Sequence, residues 1–472
     1  MIRFLNAHFP ARTVILGISE ACLVGFAFVA AMVARLGASD ASVQLSDEQG
    51  FLKILVVSGT FIASMYYFDL YDTSILSNRR ELASRLVQAL GSVCILLAIL
   101  YYVYPPLQLG RGIFLIGIAL VALILLLWRG LFLALNSLPQ FSERALILGD
   151  GPLAAPLIHE LKSRPELGLR VVSHIVTTGE DSAETDSGPR ESTAGSLRAP
   201  KSEQLSQAVE SQRVNRVIVA MGDRRGKLPV PLLLALKSRG VLIQDGTDVY
   251  EAVTGKVPIE SLRLSWLLFS PGFHVSRFLV IYKRLASIVA SIIGLILSLP
   301  LLPFVAVAIK LTSPGPLFYK QKRVGQDNKV FYCYKFRTMR ADAEADTGAT
   351  WATDDDPRIT RVGGFLRTSR LDEIPQLWNV LRGDMSLVGP RPERPEFVEG
   401  LSKEIPLYHL RHAIRPGITG WAQIRYRYGS SVEDAKEKLR YDLFYIKNLA
   451  PGLDLLIFLQ TIKIILLGRG AK

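Results

Sequence analysis

At 472 residues the chain is too long for one compact core and implies two or three units. Hydrophobic residues make up 49% and charged residues 21%, and a mean hydropathy of +0.28 excludes a wholly soluble or disordered chain; part of it belongs in a membrane. The net charge of +13 is uneven, since residues 271–472 hold 30 Lys and Arg against 19 Asp and Glu, a balance suited to nucleic acid, anionic lipid or a phosphorylated substrate.

Four apolar runs open the chain, at 13–36, 51–67, 86–104 and 113–135. Each is near the roughly 17–25 residues that cross a bilayer as a helix. The first is too long for a cleavable signal and lacks a small-residue exit site. Arg3 and Arg12 precede it, Asp40, Asp47 and Glu48 follow it, and Arg79 and Arg80 lie in the second loop. Basic loops mark the cytoplasmic side, so the N-terminus and the chain from residue 141 onward are expected there. Glu20 and Arg129, within or beside the spans, read as helix-facing or interfacial rather than as a transport path. The three cysteines, Cys22, Cys94 and Cys333, make neither a disulfide framework nor a metal-binding spacing.

From residue 141 the pattern becomes that of a small parallel α/β unit: strands at 145–149, 170–176, 216–220 and 241–244, with helical stretches between. Residues 177–201, rich in Ser, Gly, Glu and Thr, read as a mobile loop. Gly149-Asp150-Gly151-Pro152-Leu153-Ala154 fits G-x-G-x-x-A after a strand, where amides at a helix start can hold a phosphate. Pro152 removes one of those donors, and no acid ends the second strand to grip a ribose; the expectation is a Rossmann-like domain without a nucleotide.

The apolar run at 279–309 looks like a fifth span but is expected to turn back. Its flanks are basic on both sides, with Arg277, Lys283 and Arg284 before and Lys310, Lys320, Lys322 and Arg323 after, whereas a crossing helix shows asymmetry. Pro300 and Pro303 lie mid-run, where proline breaks a helix, so a re-entrant hairpin with its break at Pro300 is predicted.

Beyond it, cations and turn residues surround one vicinal acidic pair, Asp372-Glu373. Pro375 suits a first helical turn, and Ile374, Leu377, Val380 and Leu381 recur at helical spacing up to Gly383, which puts the pair at a helix N-terminus. Such pairs usually only cap. Here Lys335, Arg337, Arg367, Arg370 and Arg391 supply far more positive charge than a cap requires, and Gly389-Pro390-Arg391-Pro392 is a rigid turn presenting a guanidinium whose fork suits phosphate oxygens. Carboxylate plus cations beside a membrane suggests phosphoryl chemistry: an aspartate can attack phosphorus, and arginines with a divalent cation, for which an adjacent Glu is a suitable ligand, neutralise the field. Spacing does not divide the roles between the two acids. His409 and His412 read as structural, Tyr441, Asp442 and Tyr445 as core, and 453–467 as an interfacial or packed helix.

Five stretches carry a resemblance: the proline-broken hairpin, Lys335-Phe336-Arg337-Thr338-Met339, Leu371-Asp372-Glu373-Ile374-Pro375-Gln376-Leu377-Trp378-Asn379, Gly383 to Pro392, and Arg415-Pro416-Gly417-Ile418-Thr419-Gly420-Trp421. In this order they resemble the bacterial sugar transferases, monotopic polyprenyl-phosphate phosphoglycosyl transferases, over about residues 275–472. Four spans plus a Rossmann-like domain are similar to the large members of that family, and the stretch from Ile2 to Arg12 to its exopolysaccharide-initiating branch.

The resemblance implies a membrane α/β protein with four transmembrane helices (1–140), a Rossmann-like cytoplasmic domain (141–270) and a catalytic domain (271–472) with its re-entrant helix at 279–309. It implies transfer of sugar-1-phosphate from a nucleoside-diphosphate sugar, UDP being the favoured nucleotide, to polyprenyl phosphate at the cytoplasmic face of the bacterial inner membrane. Asp372 would be the nucleophile, forming an aspartyl-phosphosugar intermediate, and Glu373 would support Mg2+ or proton handling. Arg367 and Arg391, with Lys335 and Arg337, would bind the phosphate-bearing substrates. Leu299-Pro300 stands where many relatives have Ser-Pro. The alternative is a catalytically degenerate membrane scaffold or regulator of polysaccharide assembly, against which the intact pair argues. An oxidoreductase lacks its Tyr-x-x-x-Lys, and no nucleic-acid partner needs a membrane hairpin. A homodimer is compatible with the large membrane region; the sugar is not legible.

Overall fold

The computed structural model describes residues 2–4, 7–9, 11–46, 49–71, 79–137, 142–164, 167–176, 196–198, 202–222, 224, 228–261, 276–340, 343, 356–426, 429 and 431–466. Two compact units divide the chain, chiefly Phe9–Val249 and Tyr250–Lys472. Two three-residue strands, β1 (Ile2–Phe4) and β2 (Ala7–Phe9), precede the first helix.

In the first unit, α1 (Ala11–Leu36), α3 (Gly50–Tyr67), α4 (Arg79–Val103) and α5 (Arg111–Ser137) coincide with the four apolar runs. A short helix, α2 (Ala38–Ser46), was not expected; Gly37, at φ +88°, makes the sharp turn into it. Val24, Phe28, Met32, Val57, Phe61, Leu97 and Val121 pack inward, while Phe26, Leu55, Ile95 and Leu127 face outward, an arrangement that suits a lipid surround. Glu20 and Arg129 do face the bundle. Arg129 Nε and Nη2 donate to Glu20 Oε1 (2.6 Å) and Oε2 (3.0 Å), and Nη1 to the Leu70 carbonyl (3.0 Å), so neither buried charge is left alone.

The middle of this unit is a parallel sheet in the order β5-β4-β3-β6-β7, formed by β3 (Glu143–Leu148), β4 (Leu169–Val176), β5 (Ser196–Arg198), β6 (Arg216–Val219) and β7 (Leu242–Asp245). Helices α6 (Ala154–Ser163), α7 (Ser202–Ser211) and α8 (Val230–Ser238) join the strands, and α9 (Gly246–Thr254) leads into the second unit. Leu146, Leu148, Val217 and Val219 pack against Leu205, Val209, Leu233 and Leu236. Within the stretch read as a loop, residues 196–198 form β5; residues 177–195 and 199–201 lie outside the described residues.

The second unit starts at Tyr250, upstream of residue 271. Its opening stretch is tied to the C-terminal part of the same unit: Trp421 Nε1 donates to the Gly255 carbonyl (2.9 Å), Lys447 pairs with Glu251 (2.7 Å), and Glu260 pairs with Lys436 (2.8 Å) and Arg440 (2.5 Å). The long apolar run becomes α10 (Arg277–Ser298) and α11 (Leu302–Thr312), separated by a turn containing Pro300. Pro303 falls in the first turn of α11, where its missing N–H is no loss. Both limbs rest on the same α/β domain. On α10, Lys283 pairs with Asp454 (2.8 Å), Ser287 Oγ bonds Ser386 Oγ, and Gly294 lies beside Leu377; on α11, Val305 and Ile309 pack on Phe336 and Leu366. Leu297, Leu299, Leu301 and Phe304, around the turn, are exposed. Among the described residues, α1, α3, α4, α5 and α10 are long and apolar enough to cross a membrane.

The domain itself comprises an antiparallel ribbon, β8 (Phe318–Val324) with β9 (Val330–Phe336), then α12 (Arg361–Thr368) and α13 (Gln376–Arg382). A parallel pair comes next, β10 (Ser386–Val388) with β11 (Gly417–Thr419), together with α14 (Pro395–Glu404), α15 (Trp421–Arg425), α16 (Val432–Lys447) and α17 (Pro451–Leu466).

Candidate active site

The acidic pair does not cap a helix. Asp372 and Glu373 occupy their own short 3-10 turn, Leu371–Glu373, and Pro375 stands at the start of α13, where no side chain caps. The turn is set up from both sides. Thr360 caps α12 by accepting from the Gly363 amide (2.9 Å), and a Cβ on Gly363 would lie 1.9 Å from the Thr338 carbonyl oxygen, so only glycine lets α12 approach the end of β9 this closely. Arg370, in the left-handed conformation at φ 58°, redirects the chain into the 3-10 turn. Gly383, at φ +100°, ends α13 as expected.

Both carboxylates are more than nine-tenths buried, and their surroundings differ. Glu373 Oε1 accepts from Lys335 Nζ (2.9 Å) and Arg391 Nη2 (3.0 Å), and its Oε2 lies 3.5 Å from Arg370 Nη1. Asp372 has Lys335 Nζ at 3.8 Å and, among the described residues, no side-chain hydrogen bond. Burial pushes both carboxyls up. At Asp372 burial outweighs Lys335 and the pKa lies above the usual aspartate value; at Glu373 the pull of Lys335, Arg391 and Arg370 outweighs burial and holds it well below. The pair is therefore one fixed anion and one carboxylate left uncommitted.

Of the expected substrate-binding residues, the structure brings Lys335 and Arg391 onto the pair. Arg367 turns its Nε to Thr338 Oγ1 (3.0 Å), although its charge still lowers the Asp372 pKa. Arg337 does not reach the pair: it is buried, its Nη2 donates to the Ser313 carbonyl (2.6 Å) where α11 ends, and its Nε and Nη1 have no hydrogen-bond partner among the described residues. Pro300 lies in the turn between α10 and α11, not in the site. His412 is structural, its Nδ1 2.7 Å from Asn328 Oδ1, and Tyr441, Asp442 and Tyr445 are buried.

Arg370, already among the cations counted around the pair, reaches Glu373 from a left-handed backbone. One contributor is not apparent from the sequence. Asn379, fully buried, accepts from the Tyr334 amide (3.0 Å) and donates to the Tyr332 carbonyl (2.7 Å), standing in for a strand along β9 and fixing the segment that carries Lys335. Its place in the Leu-x-Asn motif was the available signal.

The bacterial sugar transferase family model matches residues 278–468, and a CoA-binding domain model matches residues 66–242. A UDP-glucose:undecaprenyl-phosphate glucose-1-phosphate transferase of Xanthomonas campestris is 31% identical over 431 residues, covering 86% of this chain and 85% of that protein. The chain belongs to the bacterial sugar transferase family. An Escherichia coli transferase of the same description is 34% identical over 67% of this chain and 66% of its own length. A UDP-N-acetylgalactosamine-undecaprenyl-phosphate N-acetylgalactosaminephosphotransferase of Aeromonas hydrophila is 46% identical over 228 residues, 48% of this chain and about half (52%) of that protein. The expectations of an enzyme of this transferase class, and of a membrane protein with several apolar helices and mixed α/β content, stand.

Proposed function

We propose that this family member transfers sugar-1-phosphate from a UDP-sugar to a polyprenyl phosphate, the first membrane step of exopolysaccharide or glycan assembly. The observation that carries the reading is the asymmetry of the pair: Glu373 is neutralised by Lys335, Arg391 and Arg370, whereas Asp372 is left with an oxygen free to react. Asp372 attacks the sugar-bearing phosphorus, the P–O bond to the nucleoside monophosphate breaks, and an acyl phosphate forms. An oxygen of the lipid phosphate then attacks the same phosphorus and regenerates the carboxylate. Lys335 and Arg391 hold the diphosphate against the repulsion of two carboxylates.

A hard divalent cation fits this donor set. Oε2 of Glu373 is the less committed of its two oxygens, Asp372 is adjacent, and a diphosphate with water would complete the shell that magnesium prefers. When bound, Mg2+ would supply charge neutralisation at the diphosphate.

On this reading α10 and α11 enter and leave the bilayer on one side. Support comes from both limbs packing on one domain, from the exposed apolar turn, and from the 11 residues of α11, which rise only about 16 Å against a core of about 30 Å. With basic loops inside, α1, α3, α4 and α5 span the inner membrane and the remaining domains are cytoplasmic. The test is a UDP-sugar incubated with the full chain: UMP should be released stoichiometrically without undecaprenyl phosphate and continuously with it. Asp372→Asn should abolish both, and near-normal turnover by that variant would remove Asp372 from the chemistry.

A further inference from the structure

The turn that carries Arg391 cannot hold itself. Pro390 and Pro392 have no amide hydrogen, so this segment lacks two of its ladder donors. Its carbonyls are instead taken one by one from elsewhere. The Gly417 amide donates to Pro390 (2.9 Å), Arg411 Nη2 to Arg391 (3.0 Å), Arg323 Nη1 to Pro392 (3.0 Å), and the Val324 amide to Glu393 (2.9 Å). The donor at Arg391 itself is thus a side chain, set in a buried charge cluster. Arg411 lies in the 3-10 turn Tyr408–Ala413, with its side chain 4% exposed; the same Nη2 is 2.9 Å from Asp442 Oδ2 on α16, and Nη1 donates to the Tyr408 hydroxyl (2.5 Å).

We infer that Arg411, held by Asp442, is a positioning residue: it fixes the Arg391 backbone and thereby aims that guanidinium at Glu373 and at the substrate diphosphate. Stability is a poor explanation for the cluster. A buried ion pair barely offsets its desolvation, and apolar residues of the same volume commonly serve as well. Burial raises the Asp442 carboxyl to about 6 despite Arg411, the mark of a charge that is costly to keep there. What an apolar pair cannot supply is a forked donor that reaches the Arg391 carbonyl with one prong and the Tyr408 hydroxyl with the other while its charge lies against Asp442. A misplacement of about 1 Å in a group that orients substrate can cost about 100-fold in rate.

This inference rests on the proposed transfer, and a double-mutant cycle on the full chain, with UDP-sugar and undecaprenyl phosphate, separates the two. Arg411→Lys keeps the charge but loses the fork, so kcat/KM should fall about 100-fold. Arg391→Gln should fall at least as far. The double variant should be no worse than Arg391→Gln alone, within about twofold, because Arg411 acts only through Arg391. Losses that multiply in the double variant overturn the inference while leaving the transfer reaction standing; a parent enzyme that releases no UMP overturns the transfer reading and this one with it. Should Arg411→Lys fail to fold, Asp442→Asn takes its place in the same cycle, and there too multiplying losses overturn the inference.

Discussion

Asn379→Leu tests how the site is held. The substitution keeps the branching of the side chain at a position with no solvent exposure but strips β9 of its surrogate strand, leaving the part-buried Tyr334 amide and Tyr332 carbonyl without their side-chain partner. Each orphaned backbone group costs about 1–3 kcal/mol, so the loss should be about 2–6 kcal/mol. For a domain of this size, that lowers the melting midpoint by on the order of 10 °C. Asn379→Asp should be worse, because a carboxylate oxygen would then face the Tyr332 carbonyl and the Asp384 carboxylate, which lies 3.3 Å from the present amide nitrogen. Lys335 follows Tyr334 directly, so turnover should fall with stability. Thermal unfolding of the purified chain in detergent, paired with UMP release, reads both. A leucine variant melting within about 2 °C of the parent would show that the fork carries no load.

On the proposed mechanism Asp372 must be ionised to attack, and burial, followed by the opposing pull of Lys335, sets its pKa above the ordinary aspartate value; kcat/KM should therefore climb as pH rises through that raised pKa. Lys335→Met removes the largest charge opposing burial, so the acid limb of the profile should move to higher pH; a limb that stays put would mean that Asp372 is not the titrating group. Truncation probes the domain boundary: a chain beginning at Tyr250 keeps the ties of Glu251, Gly255 and Glu260 to α15 and α16, and should retain more transfer activity than one beginning at residue 271. Equal activity in the two would remove that segment from the catalytic unit.

The legible parts of the fold were those whose signal is local. The four apolar runs became helices and the buried β-branched stretches became strands, most of their ends displaced by only a residue or two. At the site, Lys335, Asp372, Glu373 and Arg391 were visible because excess positive charge around one acidic pair is itself unusual. Direction was not visible. Arg337 lies two residues beyond Lys335, yet one reaches the end of α11 and the other Glu373, a difference decided by which elements pack there. The placement of the pair at a helix N-terminus differed for a similar reason: Pro375 takes the position that starts α13, and the left-handed Arg370 gives the acids a separate turn. Arg411 and Asn379 act on backbone groups distant in sequence, which no spacing reveals.

The middle domain illustrates how a motif can keep its letters and change its task. Its strand order places the switch point between β3 and its neighbours, where open parallel sheets bind ligands beyond the carboxyl ends of the strands. Gly149 and Gly151 sit there, and a CoA-binding domain model matches this region. The turn is nevertheless spent on the protein's own chain. The Gly151 amide donates to the Ala220 carbonyl (3.0 Å), the Gly149 amide to the Ile175 carbonyl (2.8 Å), and His174 Nε2 lies 2.7 Å from the Gly149 carbonyl oxygen. A Cβ on Gly151 would stand 2.5 Å from the Gly222 amide nitrogen, so only glycine lets these two loops touch. Pro152, next in line, has no amide to offer. A phosphate cradle needs donors converging on one point, and here two of the turn's amides, those of Gly149 and Gly151, are already bound within the chain.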